Sequence, residues 1–236
     1  WRSIELEIKV VRQILEWNED CSDELKKIFN DEGVLVVNVM GSLGAGKTSV
    51  ITNLINRCRA KYRIAVIEAD IAGKLDAERI SAMGIPVVQL NTDGACHIEA
   101  MSIKNIIGEF DLDNIDLLLI ENIGNLVCPA EFNIGEDIKL VILSVPEGDD
   151  KVVKYPLMFN NSQCLVLNKY DLAKYFNFDT DRVIKDASEM NPGISVFRVC
   201  STSGEGMDGL AGWLGDRISE KKGGGTSLAD RKHPLR

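Results

Sequence analysis

Two hydrophobic patterns alternate along this chain. Nearly continuous apolar runs recur at residues 34–40 and in RIAVIEAD, PVVQLN from Pro86, LLLIEN from Leu117, IKLVILSV from Ile138, QCLVLNKYD from Gln163 and ISVFRVC from Ile194. Runs of this length, rich in Val, Ile and Leu, predict strands covered on both faces. Between several of them the apolar positions move to helical spacing. SVITNLINR follows the first run, HIEAMSIKNIIGEF predicts a helix beginning near His97, and DRVIKDASEM and GMDGLAGWLGDRISEKK predict two more. Strands alternating with helices imply an α/β fold, with a mostly parallel sheet flanked by helices on both faces. Residues up to about Asp31 predict one further helix, with Val11, Ile14, Leu15, Leu25 and Ile28 among charges. That segment could dock on the core or serve as an arm for a partner. Residues 1–222 are expected to form a single domain without internal repeats. Residues 223–236, ending in ADRKHPLR, lack a core-forming pattern and are expected to be disordered or foreign to the native chain.

The first strand leads into GSLGAGKTS, which fits the phosphate-loop spacing G-x-x-x-x-G-K-[ST]. The order strand, loop, helix matters more than the string, because it brings a helix N-terminus and free backbone amides to one point. Gly41, Gly44 and Gly46 let backbone approach phosphate oxygens, with Leu43, Ala45 and Ser49 completing the cradle. Lys47 is expected to reach the β- and γ-phosphates, and the Thr48 hydroxyl to coordinate Mg²⁺. The expected class is a P-loop NTPase.

The base is read from a second element. Asn168, Lys169, Tyr170 and Asp171 end an apolar strand as N-K-x-D. The Asp171 carboxylate accepts hydrogen bonds only, which suits the N1–H and 2-amino group of guanine and leaves adenine unmatched. Lys169 can lay its stem across the base, and Asn168 can tie this loop to the phosphate loop. In CSTSGEG, Ser201 takes the middle position of a loop whose backbone N–H meets guanine O6. GTP is expected rather than ATP.

Hydrolysis also needs acids and a γ-phosphate sensor. Glu121 ends LLLIEN, and Gly124 follows three residues later, so its N–H is the natural donor to the γ-phosphate. Asp70 ends the second strand, where ligands gather in doubly wound folds. Asp70 and Glu121 are read as Mg²⁺ ligands, direct or through water, and Asp76 as metal-linked or water-positioning. Helix capping is the alternative role for Asp76, which precedes AERISAM. Neither a glutamine nor an arginine stands in an obvious place to accelerate the reaction in cis, so slow turnover is expected.

Charge narrows the partners. With Lys and Arg scattered and a formal net charge of −9, nucleic acid and anionic membranes are disfavoured. No apolar stretch has the length of a membrane span, and no secretory signal is visible, which suggests the cytoplasm. The first residue is Trp1 rather than Met, so native residues could precede it. Six cysteines without framework spacing suggest reduced thiols. Cys58, Cys164 and Cys200 read as core, Cys21 as a bystander, and nothing is expected of His233. Cys96 and His97, in DGACH, and Cys128, after ENIGNLV, offer thiolate and imidazole donors suited to Zn²⁺ or Ni²⁺ rather than Mg²⁺. Spacing alone leaves buried thiols and a capping histidine as alternatives. Three ligands would leave a structural site incomplete unless two chains met across a two-fold axis.

GSLGAGKTS, IEADIAGKLDAERI, NTDGACHIEA, ENIGNLVCPAEF, SVPEGDDKVVKYP and NKYDLA together resemble the hydrogenase nickel-incorporation GTPases of the HypB family. This resemblance implies a metal-binding GTPase that assists nickel delivery to [NiFe]-hydrogenase, with a hydrogenase accessory protein or the hydrogenase large subunit as partner. It also implies that Cys96, His97 and Cys128 bind Ni²⁺ or Zn²⁺ at a GTP-promoted homodimer interface. The cysteine-rich N-terminal motif and histidine-rich stretch of some members are missing from this sequence. Three other readings compete. A urease accessory GTPase would carry Cys-Pro-His where Cys128-Pro129 continues with Ala130. A metal-carrying scaffold would have negligible turnover. A nucleotide kinase would need a lid and acceptor-binding arginines.

Overall fold

The computed structural model describes residues 2–70, 75–92 and 94–224, with the side chains of residues 2–14, Asp70 and Gly224 outside that description. Seven strands form one sheet: β1 (Leu35–Gly41), β2 (Ile64–Asp70), β3 (Val87–Asn91), β4 (Leu117–Glu121), β5 (Ile138–Ser144), β6 (Cys164–Asn168) and β7 (Ser195–Arg198). Their order is β3-β2-β4-β1-β5-β6-β7, and every pairing is parallel. The helices are α1 (Arg2–Glu32), α2 (Lys47–Cys58), α3 (Leu75–Ser81), α4 (Ala100–Ile106), α5 (Cys128–Glu131), α6 (Lys151–Lys154), α7 (Pro156–Asn160), α8 (Thr180–Met190) and α9 (Met207–Gly224). All seven strand predictions and the α/β class hold.

Strand periodicity sorts the core into two faces. Along β1, Leu35, Val37 and Val39 pack with Val50, Leu54, Leu210 and Leu214 from α2 and α9. Val36 points the other way, among Leu25, Phe29, Ile98 and Ile103 from the α1 and α4 side. Met40 joins Phe159, Leu167 and Val183 on that same second face, farther along the strand. Burial of such side chains stabilises by roughly 1.5–3 kcal/mol each. The α1 segment therefore docks, with Cys21, Leu25 and Phe29 buried. Cys58, Cys164 and Cys200 are buried too.

Two local expectations change. The helix predicted from His97 begins at Ala100, because Glu99 is extended (φ −99°, ψ 154°) and the preceding residues are held in a loop. Helix α9 continues through Gly223 and Gly224, while the rest of the predicted tail, including His233, lies outside the described residues. Among the described residues, no helix is long and apolar enough to cross a membrane.

Asp116 fastens the amino edge of the sheet. It is buried, accepts from Arg63 Nε at 3.1 Å, and accepts from Lys222 Nζ of α9 at 2.8 Å. Burial pushes its carboxyl up, but the hydrogen bonds from Arg63 and Lys222 outweigh it and hold the group well below the usual carboxylate range. A depressed folded pKa contributes stability that is present above the unfolded value of about 3.9 and lost as pH falls toward the folded one. Asp116→Asn is expected to lower stability at neutral pH by about 1–3 kcal/mol. That gap should narrow below about pH 4, as read by thermal melts across pH.

Candidate functional site

Parallel strands put all their carboxyl ends on one edge of the sheet, and loops from β1, β2 and β4 enclose a cleft of about 470 Å³ there. Gly44, Gly46, Lys47, Thr48 and Ser49 line it, with Asp76, Glu121, Gly124 and Lys169 opposite. Gly46 precedes α2 with φ 96°, a left-handed conformation natural to glycine, and any Cβ there would run into the Asn168 amide. Lys47 is buried, its Nζ 3.4 Å from Gly41 O and 3.3 Å from Ser42 O.

The oxygen donors converge. Thr48 Oγ1 stands 2.9 Å from Glu121 Oε1 and 3.2 Å from Asp76 Oδ2, one hydroxyl with two carboxylates in range. This cluster of hard oxygens has the chemistry that Mg²⁺ takes. Asp76 lies inside the first turn of α3 rather than ahead of it, and Arg79 Nη1 donates to its other oxygen at 2.9 Å. Asp70 closes β2, but its side chain lies outside the described residues.

The N-K-x-D element folds onto the phosphate loop. Asn168 is fully buried; its Nδ2 donates to Ala45 O at 2.9 Å, and its Oδ1 accepts from the Ser201 N–H at 3.1 Å. The single proton of the Ser201 amide, expected from the sequence to meet guanine O6, is here given to Asn168 Oδ1. Lys169 has φ 56° and donates from Nζ to Gly44 O at 2.7 Å. Asp171 follows in a 3₁₀ turn over Tyr170–Tyr175.

Beyond the cleft, three soft donors meet. Cys96 Sγ is 3.2 Å from Cys128 Sγ and 3.4 Å from His97 Nδ1, and the candidate ligand atoms of all three residues lie within 4.8 Å of one another. Cys128 opens α5, whereas Cys96 and His97 lie in the loop before α4. The His97 ring stacks on Phe132, centroids 3.9 Å apart. Burial lowers its pKa, which favours the neutral, ligating imidazole. Its Nε2 is buried without a hydrogen-bond partner among the described residues. The hydrogen bond with Cys128 pushes the Cys96 thiol up, and burial adds to it. Two thiols and an imidazole at this spacing match Ni²⁺ or Zn²⁺ in ligand type.

Asn125 joins the two centres. Its backbone forms an isolated antiparallel bridge with Gly41 of the phosphate loop. Its Nδ2 donates to Cys96 O at 3.0 Å, and its Oδ1 accepts from the Val127 N–H at 2.9 Å. Its neighbour Gly124 sits so close that a Cβ there would lie 2.8 Å from Leu43 N. Sequence reasoning did not single out Asn125, nor Arg79 and Glu68 in the cleft lining, nor Glu147, which bonds the Ser42 hydroxyl. Only Glu68 carried a signal, as an acid within the apolar run of β2.

Residues 35–198 match the family described as CobW/HypB/UreG, nucleotide-binding domain. The chain is 42% identical to the hydrogenase maturation factor HypB of Escherichia coli K12 over 213 residues, covering 90% of this chain and 72% of that protein. It is 37% identical to a probable hydrogenase maturation factor HypB of Methanocaldococcus jannaschii, covering 91% and 97%. Among solved structures, Archaeoglobus fulgidus HypB superposes with a TM-score of 0.81 at 33% identity, covering 86% of this chain and 99% of that one. Helicobacter pylori HypB in complex with nickel gives a TM-score of 0.80 at 34% identity, covering 92% and 99%. A donor-lined phosphate loop and a Cys/His cluster therefore sit in a chain alike to these proteins over most of its length: it belongs to the HypB family of hydrogenase maturation factors, within the CobW/HypB/UreG group of nucleotide-binding domains.

Proposed function

We propose that this protein is a GTP-hydrolysing metallochaperone whose nucleotide state controls a nickel ion at Cys96, His97 and Cys128. The observation that carries the reading is the short span from Glu121 to Cys128, which borders the cleft at one end and supplies a thiol at the other. Asn125 supports it by touching both the phosphate loop and the Cys96 loop.

In this reading Lys47 holds the β- and γ-phosphates, the Gly124 N–H donates to the γ-phosphate, and Asp76 orients water or the metal-bound shell. Asn168, Lys169, Asp171 and Ser201 form the guanine site, with Asp171 supplying the base preference. Thr48, Glu121 and Asp70 would hold Mg²⁺, which offsets the charge that develops between the β- and γ-phosphates. Arrival of the γ-phosphate competes with the close seating of Gly124 on Leu43 and loosens the Gly41–Asn125 bridge. That displacement carries the Cys128 loop with it. Cys96 is exposed, and Val127 and Leu43 expose apolar side chains, so a second copy could meet this face and complete the coordination of nickel. Hydrolysis relaxes the loop and releases the ion toward a hydrogenase accessory protein or the hydrogenase large subunit. One relative, from Helicobacter pylori, is a hydrogenase/urease maturation factor, which keeps a second nickel enzyme open as client.

Lys47→Ala is expected to cut GTP turnover at least about 100-fold in a phosphate-release assay, while nickel binding by the isolated chain persists. Nickel affinity measured by calorimetry in the GDP and GTP-analogue forms should differ by roughly 5–150-fold, the usual range of coupling between two sites. Equal affinities would overturn the switch and leave only a hydrolase.

A further inference from the structure

We infer that Asn18, on the α1 helix that precedes the family's nucleotide-binding domain, is a positioning residue for the metal site. The Cys/His ligands come from two segments far apart in sequence, one leading into α4 and one opening α5. Nothing in the sheet ladder spaces these segments, since both leave it before the ligands. Asn18 does. It is only 6% exposed; its Oδ1 accepts from the Ala100 N–H at 2.8 Å, and its Nδ2 donates to Asn133 O at 2.7 Å. Ala100 begins α4, three residues after His97, and Asn133 follows Phe132, the residue stacked on the His97 ring.

Both bonds answer a local need. The first N–H groups of a helix have no partner within it, and Glu99, the residue ahead of α4, makes no side-chain cap. Asn18 caps α4 from another helix, just after the extended Glu99 and three residues beyond His97. Its amide simultaneously fixes the exit from α5. One planar group therefore ties the start of α4 to the exit from α5, with donor and acceptor each satisfied, and holds from behind the two segments that Asn125 joins in front through Cys96 O. Residue 18 lies outside the matched span of 35–198, although α1 shares a core with the sheet through Leu25 and Phe29.

The inference rests on nickel binding at Cys96, His97 and Cys128, and the experiment separates the two. Nickel(II) alone is titrated into the GDP-bound full chain, following the thiolate-to-nickel charge-transfer absorption. Asn18→Ala is expected to weaken nickel binding about 10-fold and to shift or broaden that band, as loss of an outer-shell partner does. GDP affinity should stay at the wild-type value. Ser22→Ala serves as the control, since Ser22 Oγ accepts from Gly135 N at 3.0 Å one turn along the same helix: it ties α1 to the chain two residues beyond Asn133 without reaching the segment that leads into α4. It should leave the band unchanged. Asn18→Asp keeps the acceptor for Ala100 but faces Asn133 O with a carboxylate, and an intermediate loss is expected. That variant carries the test if Asn18→Ala does not fold. A wild-type affinity and band in the Asn18 variants, or the same loss in Ser22→Ala, would overturn the inference. Absence of the band in the wild-type chain would instead overturn the nickel reading itself.

Discussion

The pairing of β1 with β4 is the constraint from which the functional edge follows. Parallel register sets Val39 beside Glu121, so the phosphate loop leaves β1 where the Glu121–Cys128 segment leaves β4. Two loops that start side by side can then bridge at Gly41 and Asn125 with no intervening element. A slip by one residue would turn Glu121 to the opposite face of the sheet and part it from Thr48. Because both faces of these strands are apolar, the buried hydrogen bond from Asn122 Nδ2 to Asn38 Oδ1 is what opposes that slip.

Around this edge the chain departs from its own local preferences. Lys169 holds a left-handed backbone, a conformation that costs a non-glycine residue on the order of 1 kcal/mol. The strain is offset where the turn sends Lys169 to Gly44 O while Asn168 secures Ala45 O and the Ser201 amide. The N-K-x-D loop and the phosphate loop, joined by two hydrogen bonds, behave as one cradle. Soft and hard donors are kept apart: oxygens gather inside the cleft, and sulfur with imidazole gathers outside it, two donor sets that suit different kinds of cation.

The sequence makes the fold legible because the five central parallel strands are buried on both faces and read as unbroken apolar runs, while the half-buried edge strands β3 and β7 keep enough of that pattern to be seen. The phosphate loop and N-K-x-D are legible because their chemistry is contiguous. Cys96, His97 and Cys128 are different: spacing leaves them undecided, and only resemblance to a family joins them before their atoms are seen together. The start of α4 was misread because its cap is Asn18, a residue far away in sequence. Asp76 falls inside α3 rather than at its cap, a boundary that periodicity does not fix. Asn125 and Asn18 carry no motif; each matters through backbone groups that only the folded chain brings within reach.

One buried feature bears on how far the Cys128 loop can travel. Asn122 Nδ2 donates to Asn38 Oδ1 at 3.0 Å, and Asn38 Nδ2 donates to Glu136 Oε1 at 3.2 Å; all three residues are buried, and Lys139 Nζ lies 3.6 Å from the same Glu136 oxygen. Glu136 Oε2 accepts from the Ile134 N–H at 2.7 Å, and Lys139 and Asn161 both hold Ala130 O. An amide chain of this kind is expensive to break, because each interior partner would be stranded without water. The stroke available to the loop is thereby confined to the few residues between Asn122 and α5, pivoting on fixed ends. A short segment of that sort leaves the sulfur of Cys128 tethered at both ends to parts of the fold that are themselves fixed.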